Sequence, residues 1–501
     1  MLRPAIMKKS VVLLWLVLAA HLAGAKPNIV FILADDLGYS ELGSYGQKKI
    51  KTPHLDRLAE QGMRFTANYS GNAVCAPSRC VLMTGKHPGH AIVRNNRSMK
   101  RFGEPEGQHP IPSSEVTIAE VLQKEGYACG AFGKWGLGNT ASEGNPTKQG
   151  FDRFFGFNCQ SHAHSYYPAT LWSNNAKIKL NNDPEIPGHA SLPKSADEND
   201  PRSYDIYKGQ DYAPDRINEQ ALAFIRQHKD RPFFLYYPTI IPHVALHVPD
   251  EELKPYLKQK WNDPPFTRRG GYGYTPHFTP RAAYAAMITR MDRYIGNIMK
   301  LLKELNLEDN TIVVFTSDNG TTHLKDEVDY DFFESVKPLR GLKGSLYEGG
   351  VRVPLIVKWP GKIKPNTKSA YRTGFEDWMP TLLDLIDSST KAPAGTDGVS
   401  IAPTLLGKKL KARKLLYREF GGYGGQQAVW MGRWKGIRQN IVRKSNKTPL
   451  KIELYDLKKD IAESKDVAAD NPKVVARIKK LMIDEHTNSD VFKMAPLDTE
   501  N

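Results

Sequence analysis

The chain has 501 residues, four of them cysteine, and sets 70 Lys and Arg against 54 Asp and Glu, a formal net charge of +16. Four cysteines are too few for a disulfide scaffold, and no zinc-finger spacing or RNA-binding signature accompanies the charge, so a disulfide-framed minidomain and a nucleic-acid binder are both set aside. A positive field speeds encounter with a polyanion, although an ordinary basic surface gives the same count.

Residues 1–25 read as a secretory signal peptide, with Arg3, Lys8 and Lys9 before an apolar core from Val11 to Ala20 and a small-residue cleavage site at Ala23-Gly24-Ala25. Cleavage there leaves Lys26 as the mature start, no cysteine follows to carry a lipid, and no later apolar run is long enough to span a bilayer. The expected location is secreted or periplasmic.

Short apolar runs then recur at Ile29–Leu33, Ala128–Phe132, Phe233–Tyr237, Ile312–Phe315 and Leu355–Val357. Helical patterns lie between them at Leu55–Gly62, Ile118–Gly126, Asp215–His228, Tyr284–Leu305 and Asp377–Ile386. Continuous apolar strands alternating with helices predict an α/β domain whose sheet is buried on both faces. Residues 181–214 and 263–280 read as long excursions that shape a pocket. From about Leu415 the pattern shortens: Ala428–Ile437 and Ile452–Leu457 look strand-like and Pro472–Glu485 helical. We expect a catalytic domain over residues 26–400 and a smaller C-terminal domain of antiparallel strands plus a helix over 401–501, entered through the Pro/Gly/Lys-rich stretch 388–414.

Several strand ends run directly into polar residues, Asp35-Asp36 after the first, Lys134 after the second and Asp318-Asn319 after the fourth, and ligands of open α/β sheets gather at such carboxyl ends. Taken alone, each acidic dipeptide is more often a cap or turn. Gathered together they would repel one another without a cation, and hard oxygen donors suit Ca²⁺, or Mg²⁺, better than zinc. In Cys75-Ala-Pro-Ser-Arg79, Pro77 suits the first turn of a helix, which puts residue 75 at a helix N-terminus where unpaired N–H groups and Arg79, one turn on, favour an anionic oxygen.

The run Cys75-Ala-Pro-Ser-Arg79 followed by Thr84-Gly85 resembles the maturation motif of type I sulfatases, within the alkaline phosphatase superfamily. The resemblance extends from about Pro27 through Pro360 in five ordered motifs. It implies an alkaline phosphatase-like fold, with a large mixed, mostly parallel sheet flanked by helices. It also implies conversion of Cys75 to Cα-formylglycine by a formylglycine-generating enzyme, the hydrated aldehyde attacking sulfur and later expelling sulfate. Asp35, Asp36, Asp318 and Asn319, with an oxygen of residue 75, are then the metal ligands.

Gly133-Lys134-Trp135-Gly136-Leu137-Gly138 is similar to the family's G-K-W-H-L-G, whose lysine binds sulfate and whose histidine takes the formylglycine proton. Here Gly136 replaces that histidine, and His164 or His162 is expected to reach in from the following loop. His243, after the third strand, matches the histidine that protonates the leaving oxygen, with His247 the weaker candidate. The segment from Leu339 to Pro354 matches the signature that supplies Lys343 as the second sulfate-binding lysine, with Glu348 and Arg352 bracing the loop. The chain is similar to exported polysaccharide sulfatases in joining G-K-W-G-L-G with a Gln-x-x-Ala-His segment, Gln160 to His164, which implies a sulfated carbohydrate of galactose or glycosaminoglycan type, with rings in Tyr166–Trp172 and Tyr272–Phe278 either stacking on sugars or packing. A phosphoester or phosphonate monoester hydrolase and an unmatured sulfoglycan-binding protein are the alternatives.

Overall fold

The computed structural model describes residues 26–99, 106–268 and 273–500, so the signal-peptide segment lies outside the described residues. Among the described residues no helix is long and apolar enough to cross a membrane. Sixteen strands are described, and the first twelve are β1 (Asn28–Ala34), β2 (Met63–Phe65), β3 (Asn68–Tyr69), β4 (Ala128–Lys134), β5 (Arg153–Phe157), β6 (Thr170–Ser173), β7 (Ala176–Lys179), β8 (Phe233–Pro238), β9 (Thr311–Ser317), β10 (Leu355–Lys358), β11 (Thr367–Ser369) and β12 (Thr373–Gly374). Ten of them form one sheet in the order β11-β2-β10-β9-β1-β8-β4-β5-β6-β7.

The five apolar runs read from the sequence are β1, β4, β8, β9 and β10. The central strands β9, β1, β8, β4 and β5 run parallel, and β10, β6 and β7 are antiparallel to their neighbours. Alternation along β1 explains why no polar residue interrupts it. Val30, Ile32 and Ala34 face one core, packed with the helices Ala213–Gln227 and Pro280–Glu304, while Ile29, Phe31 and Leu33 face another, packed with Cys75–Thr84, Ile118–Lys124 and Trp378–Leu385.

The last four strands, β13 (Leu416–Phe420), β14 (Gln426–Met431), β15 (Trp434–Gln439) and β16 (Glu453–Asp456), form a separate antiparallel sheet against which the helix Pro472–Asp484 packs. The stretch expected as one strand, Ala428–Ile437, is a hairpin that turns at Gly432, whose φ of +58° is the left-handed conformation glycine tolerates. This sheet is not remote from the larger one. Leu416, Phe420, Ala428 and Trp430 share a core with Tyr69, Ala73 and Val74, the residues leading into the Cys75 helix, so the small sheet buttresses that helix.

The structure decides points that the sequence leaves open. All four cysteines are free. Tyr166 and Tyr167 are core residues rather than sugar platforms. Within the basic stretch before β13, the Arg413 side chain is buried in ion pairs with Glu376 and Asp377.

Candidate active site

Four adjacent strands, β4, β8, β1 and β9, end at the same sheet edge, and each leaves a polar residue there: Lys134 closes β4, the loop after β8 reaches His243, Asp35-Asp36 follow β1 and Asp318-Asn319 follow β9. Cys75 is the first residue of its helix, preceded by extended Val74, and Gly85 ends that helix in the left-handed conformation with its N–H on the Val81 carbonyl. Pro77 removes one of the N–H groups a helix start cannot pair, and the Ala76 N–H is capped by Asn96 Oδ1 at 2.9 Å.

The Cys75 sulfur donates to Asp35 Oδ1 at 3.4 Å and accepts from Lys134 Nζ at 3.5 Å. Lys134 also donates to Asp35 Oδ2 at 2.6 Å. Arg79, fully buried one turn along the helix, holds Asp318 Oδ2 through Nε at 3.1 Å and Nη2 at 2.7 Å, and its Nη1 reaches the Lys134 carbonyl. Lys343 Nζ donates to Asp36 Oδ2 at 2.8 Å, and His243 Nε2 lies 3.7 Å from the same oxygen. Asp36 has φ of +66°, strained for a carboxylate residue and held by its N–H on Asp318 Oδ1 at 3.2 Å.

These contacts set the charges. Burial pushes the Cys75 thiol up to about 12, so an unmodified cysteine here is a protonated, poor nucleophile. Burial raises the Asp35 carboxyl too, but the cations around it, Lys134 foremost, outweigh that and hold it well below the usual carboxylate range. Burial and the neighbouring Asp35 charge push Asp318 up to about 7. Burial and Lys343 hold His243 well below the usual histidine range, and burial does the same to His164.

The donor set fits a hard divalent cation. Ligand atoms of Asp35, Asp36, Cys75 and His243 lie within 4.8 Å of one another. Asn319 is fully buried, its Nδ2 donates to Asp36 Oδ1 at 2.7 Å, and its Oδ1 has no hydrogen-bond partner. An orphaned carbonyl oxygen beside clustered carboxylates is what such an ion satisfies.

Above this floor opens a cavity of about 450 Å³ whose wall includes Asp36, Gln160, His164, His243, Lys343 and Tyr423. His164 lies face to face with His243, ring centroids 4.8 Å apart and planes 9° from parallel, and its Nδ1 shares a hydrogen with His189 Nε2 at 2.8 Å. His162 points elsewhere, pairing with Glu106 at 3.1 Å. His247 lines a different, largely apolar cavity. Glu348 is buried beneath the loop, where it accepts from Tyr69, Trp430, Lys435 and Arg352.

Sequence reasoning named Gln160 and Tyr166 but missed what each does. Gln160 is 5% exposed, its amide atoms have no partner, and its side chain fills the space beside Gly136. The glycine standing in place of a histidine was the available signal. The Tyr166 hydroxyl lies 2.6 Å from the His243 carbonyl and 2.7 Å from that of Ile240, fixing the turn that aims His243. Nothing local in the sequence announces that contact.

A parallel sheet that delivers carboxylates, lysines and a helix N-terminus to one edge makes a site suited to a cation and an anionic ester together. The family follows from comparison. The Sulfatase family model matches residues 27–388, and the model for the N-sulphoglucosamine sulphohydrolase C-terminal region matches residues 342–488. The chain is 32% identical over 514 residues to N-acetylgalactosamine-6-O-sulfatase of Bacteroides thetaiotaomicron, covering 91% of this chain and 92% of that one. It is 31% identical over 512 residues to Homo sapiens arylsulfatase A, covering 94% and 90%. The crystal structure of Ps i-CgsB in complex with k-i-k-neocarrahexaose matches with a TM-score of 0.73 at 27% identity, covering 92% of each chain. The chain belongs to the sulfatase family and is a sulfuric ester hydrolase.

Proposed function

We propose that the protein is an exported enzyme that releases sulfate from a sulfated carbohydrate of galactose or glycosaminoglycan type, using residue 75 in its formylglycine form and Ca²⁺, with Mg²⁺ as the alternative. The observation that carries this reading is the meeting of Cys75, Asp35 and Lys134 within 3.5 Å at a helix N-terminus. The carbohydrate rests on the relatives, one an N-acetylgalactosamine-6-O-sulfatase and one solved with a neocarrahexaose.

When present, the hydrated aldehyde supplies a nucleophilic oxygen for attack on sulfur, and the cation, held by Asp35, Asp36, Asp318 and Asn319, supplies positive charge beside it. The Cys75 sulfur stands where that oxygen forms. Lys134 and Lys343, ammonium groups on either side of the carboxylates, bind the sulfate oxygens and spread the charge that grows on them. Burial and the Lys343 charge keep His243 neutral, and an anionic ester offsets the lysine part, which lets His243 hold a proton and hand it to the departing sugar oxygen. Arg79 does not face the substrate. It fixes Asp318 and the Lys134 backbone, and so positions ligand and lysine together. His164 is the proposed acceptor of the proton of residue 75, and Gln160 donates to an oxygen of the bound ester.

Side-by-side assays on an aryl sulfate, the matching aryl phosphate and a panel of sulfated saccharides test the reading. Preference for the phosphate, or turnover of aryl sulfate with no saccharide accepted, overturns it.

A further inference from the structure

Tyr423 occupies the tip of the turn between β13 and β14, within Gly421-Gly422-Tyr423-Gly424-Gly425. It is 55% exposed, and its φ of +50° is a conformation that a tyrosine rarely adopts. Packing does not ask for a strained backbone that turns a large ring toward solvent, so the strain points to a task.

The tip is held firmly against the catalytic loop. Gln426 Nε2 donates to the Gly344 carbonyl at 2.7 Å and accepts the Leu346 N–H on Oε1 at 2.9 Å, tying the start of β14 to the segment that follows Lys343. A Cβ on Gly344 would lie 2.9 Å from the Tyr423 ring, so glycine at 344 is what lets the ring come this close. His323 packs edge-on at 5.3 Å between centroids, and Phe420 lies at 6.0 Å. Tyr423 and Phe420 line the same cavity as Asp36, His243 and Lys343, while Asn95, Asn96 and Ser98 offer amides and a hydroxyl to it.

We propose that Tyr423 is a specificity-determining residue whose ring face takes the apolar C–H face of the pyranose joined to the sulfated sugar. This rests on the sulfatase reading above and extends it outward by one sugar. The ring brings no charge, so what it recognises is the neutral neighbour rather than the sulfate, which belongs at the lysines. C–H groups carry the partial positive charge that the negative face of an aromatic ring attracts, and an equatorial-rich pyranose presents several on one side. The amides of Asn95 and Asn96 match the hydroxyls around its edge.

The test compares wild type, Tyr423→Ala and Tyr423→Trp on 6-O-sulfated galactose and N-acetylgalactosamine, each as the free monosaccharide and as the terminal unit of a disaccharide. Tyr423→Ala should raise KM for the disaccharide by roughly five- to tenfold, at a kcat within about twofold of wild type, and shift the monosaccharide less. Tyr423→Trp should restore the disaccharide KM. Equal shifts on both substrates indicate a structural role and overturn the inference, as does an unchanged disaccharide KM. A wild-type enzyme that desulfates none of these sugars overturns this inference, while the reading of the site falls only if the wider panel of sulfated saccharides fails as well.

Discussion

The side-chain amide of Gln160 occupies the volume that a Cβ on Gly136 would enter. Gly136 has φ of +81°, so a histidine there meets both a strained backbone and an occupied space. Gly136→His should therefore destabilise the protein by about 1–3 kcal/mol in denaturant unfolding, with part of the loss recovered when Gln160→Ala is added. An additive double variant contradicts the steric account.

Because both amide atoms of Gln160 are buried without partners, the same residue separates stability from function. Gln160→Met, close in shape and free of that desolvation cost, should raise unfolding stability by about 1 kcal/mol. It should at the same time lower kcat/KM for the sulfated sugar by roughly 10²-fold. If activity is unchanged, the amide does not touch the ester.

The Asn319 Oδ1 orphan makes a prediction about metal that needs no turnover. Ca²⁺ at 100 times its Kd should stabilise the native protein by about 2.7 kcal/mol over the chelated form, seen as a rise in Tm. Asn319→Leu should weaken that rise without unfolding the sheet, since the leucine fills a fully buried site. An equal rise in the variant places the ion elsewhere.

Lys343 and Lys134 both pair with carboxylates, yet only Lys343 is partly open to the cavity. Lys343→Ala should lower kcat by about 10²- to 10³-fold as the loss of one charge-stabilising donor. Lys134→Ala should cost at least as much in kcat and also lower Tm, because it leaves Asp35 buried with one cation fewer.

Glu376, in the turn before the helix Trp378–Leu385, pairs with Arg413 ahead of β13 and with Arg418 within it, and all three side chains are buried. Burial alone raises its carboxyl, but those guanidinium groups, Arg418 foremost, hold it at about 2, against 4.5 unpaired. A carboxyl depressed on folding stabilises the protein fully above its unfolded pKa and loses that contribution as pH falls toward the folded one. The stability gap between wild type and Glu376→Gln should be constant above about pH 5 and shrink between pH 4.5 and 2. A gap that widens on acidification contradicts the pairing.

The central sheet was legible because both of its faces are buried: β1, β4, β8, β9 and β10 are unbroken apolar runs. The strand β13 was not, since Arg418 and Glu419 lie in it, fully buried and satisfied by Glu376 and Arg94 from distant segments. The candidate ligands and lysines could be read because strand ends and motifs place them locally. The roles of Tyr166 and Tyr423 could not, because each acquires its role by meeting a residue far along the chain, His243 and Gly344, and Gln160, though legible in a motif, shows its part only beside Gly136. Tyr166 shows the limit well, a ring that composition offers as a sugar platform and that the fold uses to aim a histidine.

The account turns on residue 75. Mass spectrometry of the peptide spanning it, from protein co-produced with a formylglycine-generating enzyme, should show the aldehyde, with sulfate release from a sulfated sugar rising in proportion to the converted fraction and absent in Cys75→Ala. Sulfate release at full rate from protein that carries only the thiol at residue 75 would contradict it.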